Sequence, residues 1–231
     1  AKEGWLGLLI PEDQGGLGMD KDPVMFAIFC EAIGKLSLDT AACIMTSMFT
    51  ATNVAKHGTA EQRKKYLEPF LAGEAKFAIS ISEPQSGSDA AGARSTAKHV
   101  GDEWVVKGSK VWCSGAHHPN TCIAMMLRTG EGRYDFSVLL VPNDTPGLEI
   151  QKMDTLVRRS LGTTSLFMDD LRLPGCPPGR IAAPTVRRPR HSRETAAGSF
   201  RRRQSNSWGR MLPAGGLARP PRCSRRRVRP P

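Results

Sequence analysis

Between Phe77 and Ala116 the chain gathers the residues best suited to chemistry. A Ser82-Glu83-Pro84 turn is followed by a Gly87-Ser88-Asp89 turn. After a Gly101-Asp102 pair comes the strand candidate Lys110–Ser114, with Trp112 and Ser114 two residues apart. Strand-edge backbone groups point in fixed directions, and short hydroxyls add donors and acceptors without bulk. A tryptophan offers a flat apolar wall to a flat ring, and Gly87 lets the backbone approach a ligand closely. Residues of these types can hold a ligand by directed hydrogen bonds. Singly, each piece has an ordinary explanation, since Ser-Glu-Pro and Gly-Ser-Asp are common turn compositions and a lone tryptophan is more often a core residue. Order and spacing together carry the signal.

Other candidates are weaker. His117 and His118 follow the Trp112 strand directly, and adjacent strand residues point to opposite faces, so they cannot share an ion without a bend. A solvated loop is the expectation there. Asp169-Asp170 is expected in a structural turn, and Met45, Met48 and Phe49 fall at helical spacing as core residues. The six cysteines (Cys30, Cys43, Cys113, Cys122, Cys176, Cys223) show no Cys-x-x-Cys pair and no metal-ligand spacing. They are expected to be scattered reduced thiols, with no metal site.

Three regions must position these residues. Residues 1–73 are expected to be helical. Ala1–Leu9 is the end of a helix, broken by the turn-rich 11–18. Asp22 caps a helix with apolar Val24, Met25, Ile28, Phe29 and Ile33, ending at Gly34. Asp39 or Thr40 opens a third helix, Ala41–Lys56, and Thr59 with Gln62 makes a capping box for a fourth, Ala60–Leu71. Residues 74–174 switch to period-two patterning, with strand candidates Phe77–Ser82, Arg94–His99, Glu103–Val106, Lys110–Ser114, Thr121–Arg128, Asp135–Val141, Leu148–Met153 and Thr164–Met168. Gly101-Asp102 is a two-residue hairpin signal. The fold class is therefore α+β, a helical bundle portion followed by an antiparallel β-barrel or sandwich.

Residues 175–231 differ in kind. They carry fifteen arginines, no lysine and one acid, Glu194, so the +14 of this tail against +11 for the whole chain leaves the first 174 residues at −3. The basic balance belongs to the tail and gives no reason to expect nucleic-acid binding by the rest. The tail's composition cannot bury enough apolar surface to offset its ordering entropy, so it is expected to be disordered. Arginine without lysine suggests a coding sequence read in a shifted frame. A basic nucleic-acid-binding arm is the alternative, with binding that falls steeply with salt. No apolar run reaches the roughly 18 residues of a membrane span, and no signal peptide opens the chain.

The ordered set of Ser-Glu-Pro, Gly-Ser-Asp, Gly-Asp hairpin and Trp-x-Ser strand resembles the central segment of the acyl-CoA dehydrogenase family. The loop 10–12 with Gly15-Gly16-Leu17-Gly18 and the helix carrying Lys64-Lys65-Tyr66-Leu67 are similar to that family's N-terminal domain. The resemblance implies FAD as cofactor, with Ile79, Ile81 and Cys113 contributing backbone beside the ring. It places Ser82 on the pyrimidine side, Gly87 and Ser88 near cofactor and acyl-CoA, Trp112 against the ring and Ser114 at flavin N5. It further implies α,β-dehydrogenation of an acyl-CoA thioester in fatty acid metabolism, and an electron-transfer flavoprotein as acceptor. A homodimer or homotetramer, in the bacterial cytoplasm or the mitochondrial matrix, is implied as well. The family's base comes from a C-terminal helical domain that nothing after Pro174 resembles. No catalytic residue is therefore assigned, and the chain is expected to be an inactive fragment lacking the family's opening segment. Flavin monooxygenases and nitroalkane oxidases share the fold and remain alternatives.

Overall fold

A computed structural model describes residues 2–19, 22–174 and the short strand Arg180–Ile181. The remainder of the arginine- and proline-rich tail, with its expected disorder and shifted frame, lies outside the described residues. So do Cys176 and Cys223.

The chain starts with 3-10 turns at Trp5–Gly7 and Glu12–Gln14 rather than a helix end. Two longer helices follow, α1 at Pro23–Leu36 and α2 at Leu38–His57. The Asp22 carboxylate accepts from the Val24 and Met25 amides at 3.0 and 3.1 Å, the cap its sequence position suggests. The cap of α2 is Ser37, whose hydroxyl accepts from the Thr40 amide, and not Asp39 or Thr40. At Thr59 the capping box forms as expected: the Gln62 amide donates to the Thr59 hydroxyl, and the Thr59 amide donates back to the Gln62 side chain. Thr59→Ala is expected to cost about 1 kcal/mol, visible as a lowered urea midpoint with an unchanged slope.

Beyond that cap the helix is not uniform. An α turn at Ala60–Gln62 (α3) and one at Glu68–Ala72 (α4) flank a π turn, Arg63–Leu67. Pro69 supplies the reason. It has no amide for the Lys65 carbonyl, and its ring would crowd that carbonyl in a regular helix. Widening the preceding turn relieves both problems.

The strands are β1 Lys76–Ser80, β2 Thr96–Val100, β3 Glu103–Ser114, β4 Thr121–Arg128, β5 Phe136–Pro142, β6 Leu148–Met153, β7 Thr163–Pro174 and β8 Arg180–Ile181. They form one sheet in the order β6-β7-β3-β2-β4-β5-β8, with β1 paired to β4. Pairing is mostly antiparallel, but β1 runs parallel to β4, and β2 meets β4 in parallel at Thr96 and Arg128. The two candidates at 103–106 and 110–114 are one strand, because Gly108 sits at a bulge where alternation slips without ending the ladder.

The sheet curls around a first core that includes Val106 of β3, Met125 of β4, Leu139 of β5 and Leu166 of β7. A second core joins helix to sheet. Met48, Val54, Leu67 and Phe70 pack with Phe77, Cys122, Ala124 and Leu140 on the outer side of β1, β4 and β5. Ser47 locks that contact: its hydroxyl donates to the Phe77 carbonyl at 2.9 Å and accepts from the Phe77 amide. Two apolar helix faces are buried only in part, with Phe29 of α1 packed against the second core. Val24, Met25 and Ile28 on α1 are exposed, and so is Phe49, which lies edge-on to Phe26, while Met48 is buried.

Candidate functional site

The Ser82-Glu83-Pro84 turn is built around a charge. Glu83 and Ser86 exchange backbone hydrogen bonds of 2.8 and 3.0 Å, which closes the turn tightly. The Glu83 side chain points inward and is buried. Its carboxylate accepts from the Arg94 and Ser95 amides at 2.6 and 3.0 Å, from Gln85 at 2.7 Å and from Lys110 Nζ at 2.8 Å. Lys110 is itself completely buried and also donates to the Ile81 carbonyl at 3.1 Å. One buried ion pair thus joins the end of β1, the start of the β2 segment and the middle of β3. Burial alone would raise the Glu83 carboxyl. The donors from Arg94, Lys110 and Ser95 outweigh that and hold it at about 2, while burial pulls the Lys110 ammonium below its usual range against the support of Glu83.

One signal in the sequence marks half of this pair: Lys110 stands in the inward phase of β3 alternation, where a cation needs a partner. Sequence reasoning treated Glu83 only as a turn residue of the wall.

The extension of β1 runs beside β3. The Val111 amide donates to the Ser82 carbonyl at 2.9 Å, and the Cys113 thiol donates to the Ile79 carbonyl at 3.3 Å. Ile79, Ile81, Ser82 and Cys113 are therefore brought together. Cys113 is fully buried, and burial pushes its thiol up to about 12.

Trp112 is treated differently by the backbone. A register shift between Lys110 and Cys113 places it in the left-handed region at φ 61°, with 59% of its surface exposed. Such a conformation costs a bulky residue roughly 1–3 kcal/mol, yet Trp112 stacks on no other ring among the described residues. Beside this stretch of β3, Ile81 is 43% exposed. The chain thus holds an indole outward beside a second exposed apolar group and the half-buried Ser82 hydroxyl. These residues fit a flat ring with polar edges.

The other predicted residues fall elsewhere. Ser114, at the end of β3, lines a shallow recess with Thr46, Ser47 and His118. Gly87 and Ser88 lie beyond the turn and are exposed. A methyl at Gly87 would meet no protein atom within 4 Å, so no contact of the chain itself demands glycine there. Ser88 borders a separate cleft of about 510 Å³ beside β5.

His117 and His118 depart from expectation in part. They lie in a turn, in keeping with the expected loop, but they are half-buried rather than solvated, and their rings come together with centroids 4.2 Å apart instead of pointing to opposite faces. His118 Nε2 is 2.9 Å from the Leu161 carbonyl, and His117 is shifted downward by burial, with the His118 and Lys152 charges adding to the effect. Asp169 and Asp170 lie within β7 rather than in a turn, and Asp170 pairs with Lys107 at 2.9 Å on the surface. Among the described residues, no helix is long and apolar enough to cross a membrane.

Comparison with known proteins gives consistent matches. The model of the acyl-CoA dehydrogenase N-terminal domain matches residues 1–74, and that of the acyl-CoA dehydrogenase middle domain matches residues 78–171. The chain is 33% identical over 175 residues to a probable acyl-CoA dehydrogenase of Bacillus subtilis, covering 74% of this chain and 46% of that protein. Its fold matches glutaryl-coenzyme A dehydrogenase in complex with glutaryl-CoA, with a TM-score of 0.73, 27% identity, and coverage of 79% of this chain and 47% of that one. A glutaryl-CoA dehydrogenase from Mycobacterium smegmatis in complex with FADH2 matches with a TM-score of 0.50 and 29% identity, over 55% of this chain and 32% of that one. The chain spans less than half the length of the curated relatives it matches.

Proposed function

Because this chain belongs to the acyl-CoA dehydrogenase family, we propose that its residues form the flavin-facing wall of an FAD-dependent dehydrogenase acting on an acyl-CoA thioester. The observation that carries this reading is Trp112, exposed and held in a left-handed conformation next to Ile81 and Ser82. When bound, FAD supplies the acceptor for the hydride that leaves the β carbon of the thioester. The chain's own residues bind and orient. Trp112 covers the ring as a flat apolar surface and excludes water from it. Ser82 and Ser114 offer hydroxyls to the ring's polar edges, and the buried Glu83–Lys110 pair keeps the Ser82 turn in place against β3. Ser88 and its cleft take part of the acyl-CoA.

None of these residues is assigned as the base that takes the α proton. The reading is accordingly one of cofactor and thioester binding. Transfer of electrons to an electron-transfer flavoprotein, assembly as a dimer or tetramer, and a place in the bacterial cytoplasm or mitochondrial matrix follow from the same family reading.

Titration of the full chain with FAD, followed by quenching of flavin fluorescence, tests the proposal. Trp112→Ala should weaken binding about tenfold or more, the order expected for losing one buried aromatic face. Its far-UV circular dichroism should stay unchanged, because the side chain is not part of either core. Equal affinity in the variant, or no FAD binding by the folded wild type, would sink this reading.

A further inference from the structure

The cleft beside Ser88 contains a charge arrangement that the cofactor wall does not use. Its volume is about 510 Å³, and Met126 and Phe136 contribute to its apolar lining. Tyr134, half exposed, also lines it. Two lining residues carry charge, Arg133 and Asp89.

Arg133 is not committed to a structural task. Among the described residues its one partner is Asp89, reached by a single guanidinium nitrogen at 3.2 and 3.4 Å, with both side chains 65% exposed. That is far from the two parallel short bonds of a good arginine–carboxylate fork. An exposed pair of this kind exchanges its partner at little cost.

Arg128, close by, shows what a committed arginine looks like. Its guanidinium donates to the carbonyls of Ala91, Ala93 and Gly132 at 2.7–3.3 Å and lies 4.5 Å from the centre of the Phe136 ring. It ties the Ala90–Gly92 turn to the loop that carries Arg133, so both walls of the cleft are held while its own donors are spent. Arg133 is left as the cation able to meet an incoming anion, on a fixed scaffold, next to an apolar lining and the Ser88 hydroxyl.

A ligand matching that lining is an amphiphile with an apolar arm and a phosphate. We propose that Arg133 is a specificity-determining residue of the Ser88 cleft, reading a phosphate of the CoA moiety, with Asp89 holding the guanidinium in place until the phosphate replaces it. This rests on the reading of the chain as an acyl-CoA binder. A guanidinium suits the role better than an ammonium, because its planar fork matches two phosphate oxygens at once.

Calorimetric titration of the full chain with CoA, dephospho-CoA and pantetheine tests it. Arg133→Gln is expected to weaken CoA about tenfold, the order of one charge-assisted hydrogen bond, and to leave pantetheine unchanged. Arg133→Lys should recover only part of the loss. Asp89→Asn should tighten CoA by removing both a competitor for the guanidinium and a like charge facing the phosphate. If the Arg133→Gln effect persists with dephospho-CoA, the contact is with the pyrophosphate; if it vanishes, with the 3′-phosphate; either supports the proposal. CoA binding that is intact in wild type but insensitive to Arg133→Gln overturns the role of Arg133 alone. Equal losses for CoA and pantetheine overturn it too, pointing to a structural effect. A wild type that takes none of the three ligands overturns the thioester reading and the Arg133 role together.

Discussion

Lys110→Met is expected to destabilise the protein by about 3–5 kcal/mol, the range found when one partner of a buried ion pair is removed. The side chain is completely buried, and among the described residues its ammonium is the one side-chain cation donating to Glu83. Methionine fills the same space but leaves the carboxylate in the interior with only the Arg94, Ser95 and Gln85 donors. Glu83→Gln should be comparably harmful, since it strands the ammonium. The double variant should recover more than half of the summed losses, because each single change leaves a charge that the other removes. Urea denaturation of the four proteins reads this directly, and strictly additive losses would show that the pair is not coupled.

The same pair sets an acid limit. The Glu83 carboxyl is held at about 2 in the fold, below its ordinary value of 4.5. Its contribution is therefore complete above about pH 4.5 and is lost as pH falls from there through about 2. Lys110→Met removes one of the groups that depress the carboxyl, so its acid unfolding should begin at higher pH than in wild type.

Gly108→Ala is the second large effect, expected at about 3 kcal/mol or more. Gly108 sits at φ +134°, and an added Cβ would lie 2.4 Å from the Ser95 hydroxyl oxygen and 2.7 Å from the Ser95 Cα. Backbone strain of roughly 1–3 kcal/mol combines with overpacking of roughly 1–3 kcal/mol. The second clash is with main chain, which cannot swing aside as a side-chain tip can. Ser95 is also fixed from two sides, donating its amide to Glu83 and its hydroxyl to the Ser109 carbonyl. Gly101→Ala is the informative control. Gly101 has a positive φ of +59° but open space around it, so only the conformational cost applies. Thermal unfolding should separate the two variants clearly; equal shifts would mean that the contact with Ser95 contributes nothing.

These junctions also show where reading a sequence works. Asp22 and Thr59 were legible as caps because capping is decided within three residues. Thr121–Arg128, a nearly continuous apolar run, and Leu148–Met153, an alternating one, were legible as strands because clear turn residues bound each at both ends. Glu83 and Lys110 were not legible as a pair, since 27 residues separate them and only the fold places them in contact. The unity of β3 was hidden by Gly108, which resembles a turn residue but serves a bulge. The parallel pairing of β1 with β4 has no local signature, because nothing between residues 81 and 120 says which way the chain returns. Trp112 stood out in the sequence through the company it keeps, but its exposure and its left-handed backbone were not legible. The histidine pair was legible as a loop, but the approach of its two rings was not, because the opposite-facing geometry of a strand does not hold past Ser114, where the strand ends.

The way β1 is finished has a consequence for solubility. One edge of β1 pairs with β4, and along the other edge the carbonyls of Phe77, Ile79 and Ile81 accept from the Ser47 hydroxyl, the Cys113 thiol and the Lys110 ammonium. Three side chains from two elements thus occupy every second carbonyl, in step with the strand's own repeat. A bare edge of this kind would be a template for strand addition by another molecule. Here three of the acceptors such an addition would use are already taken by the protein's own side chains, which narrows what another strand could pair with.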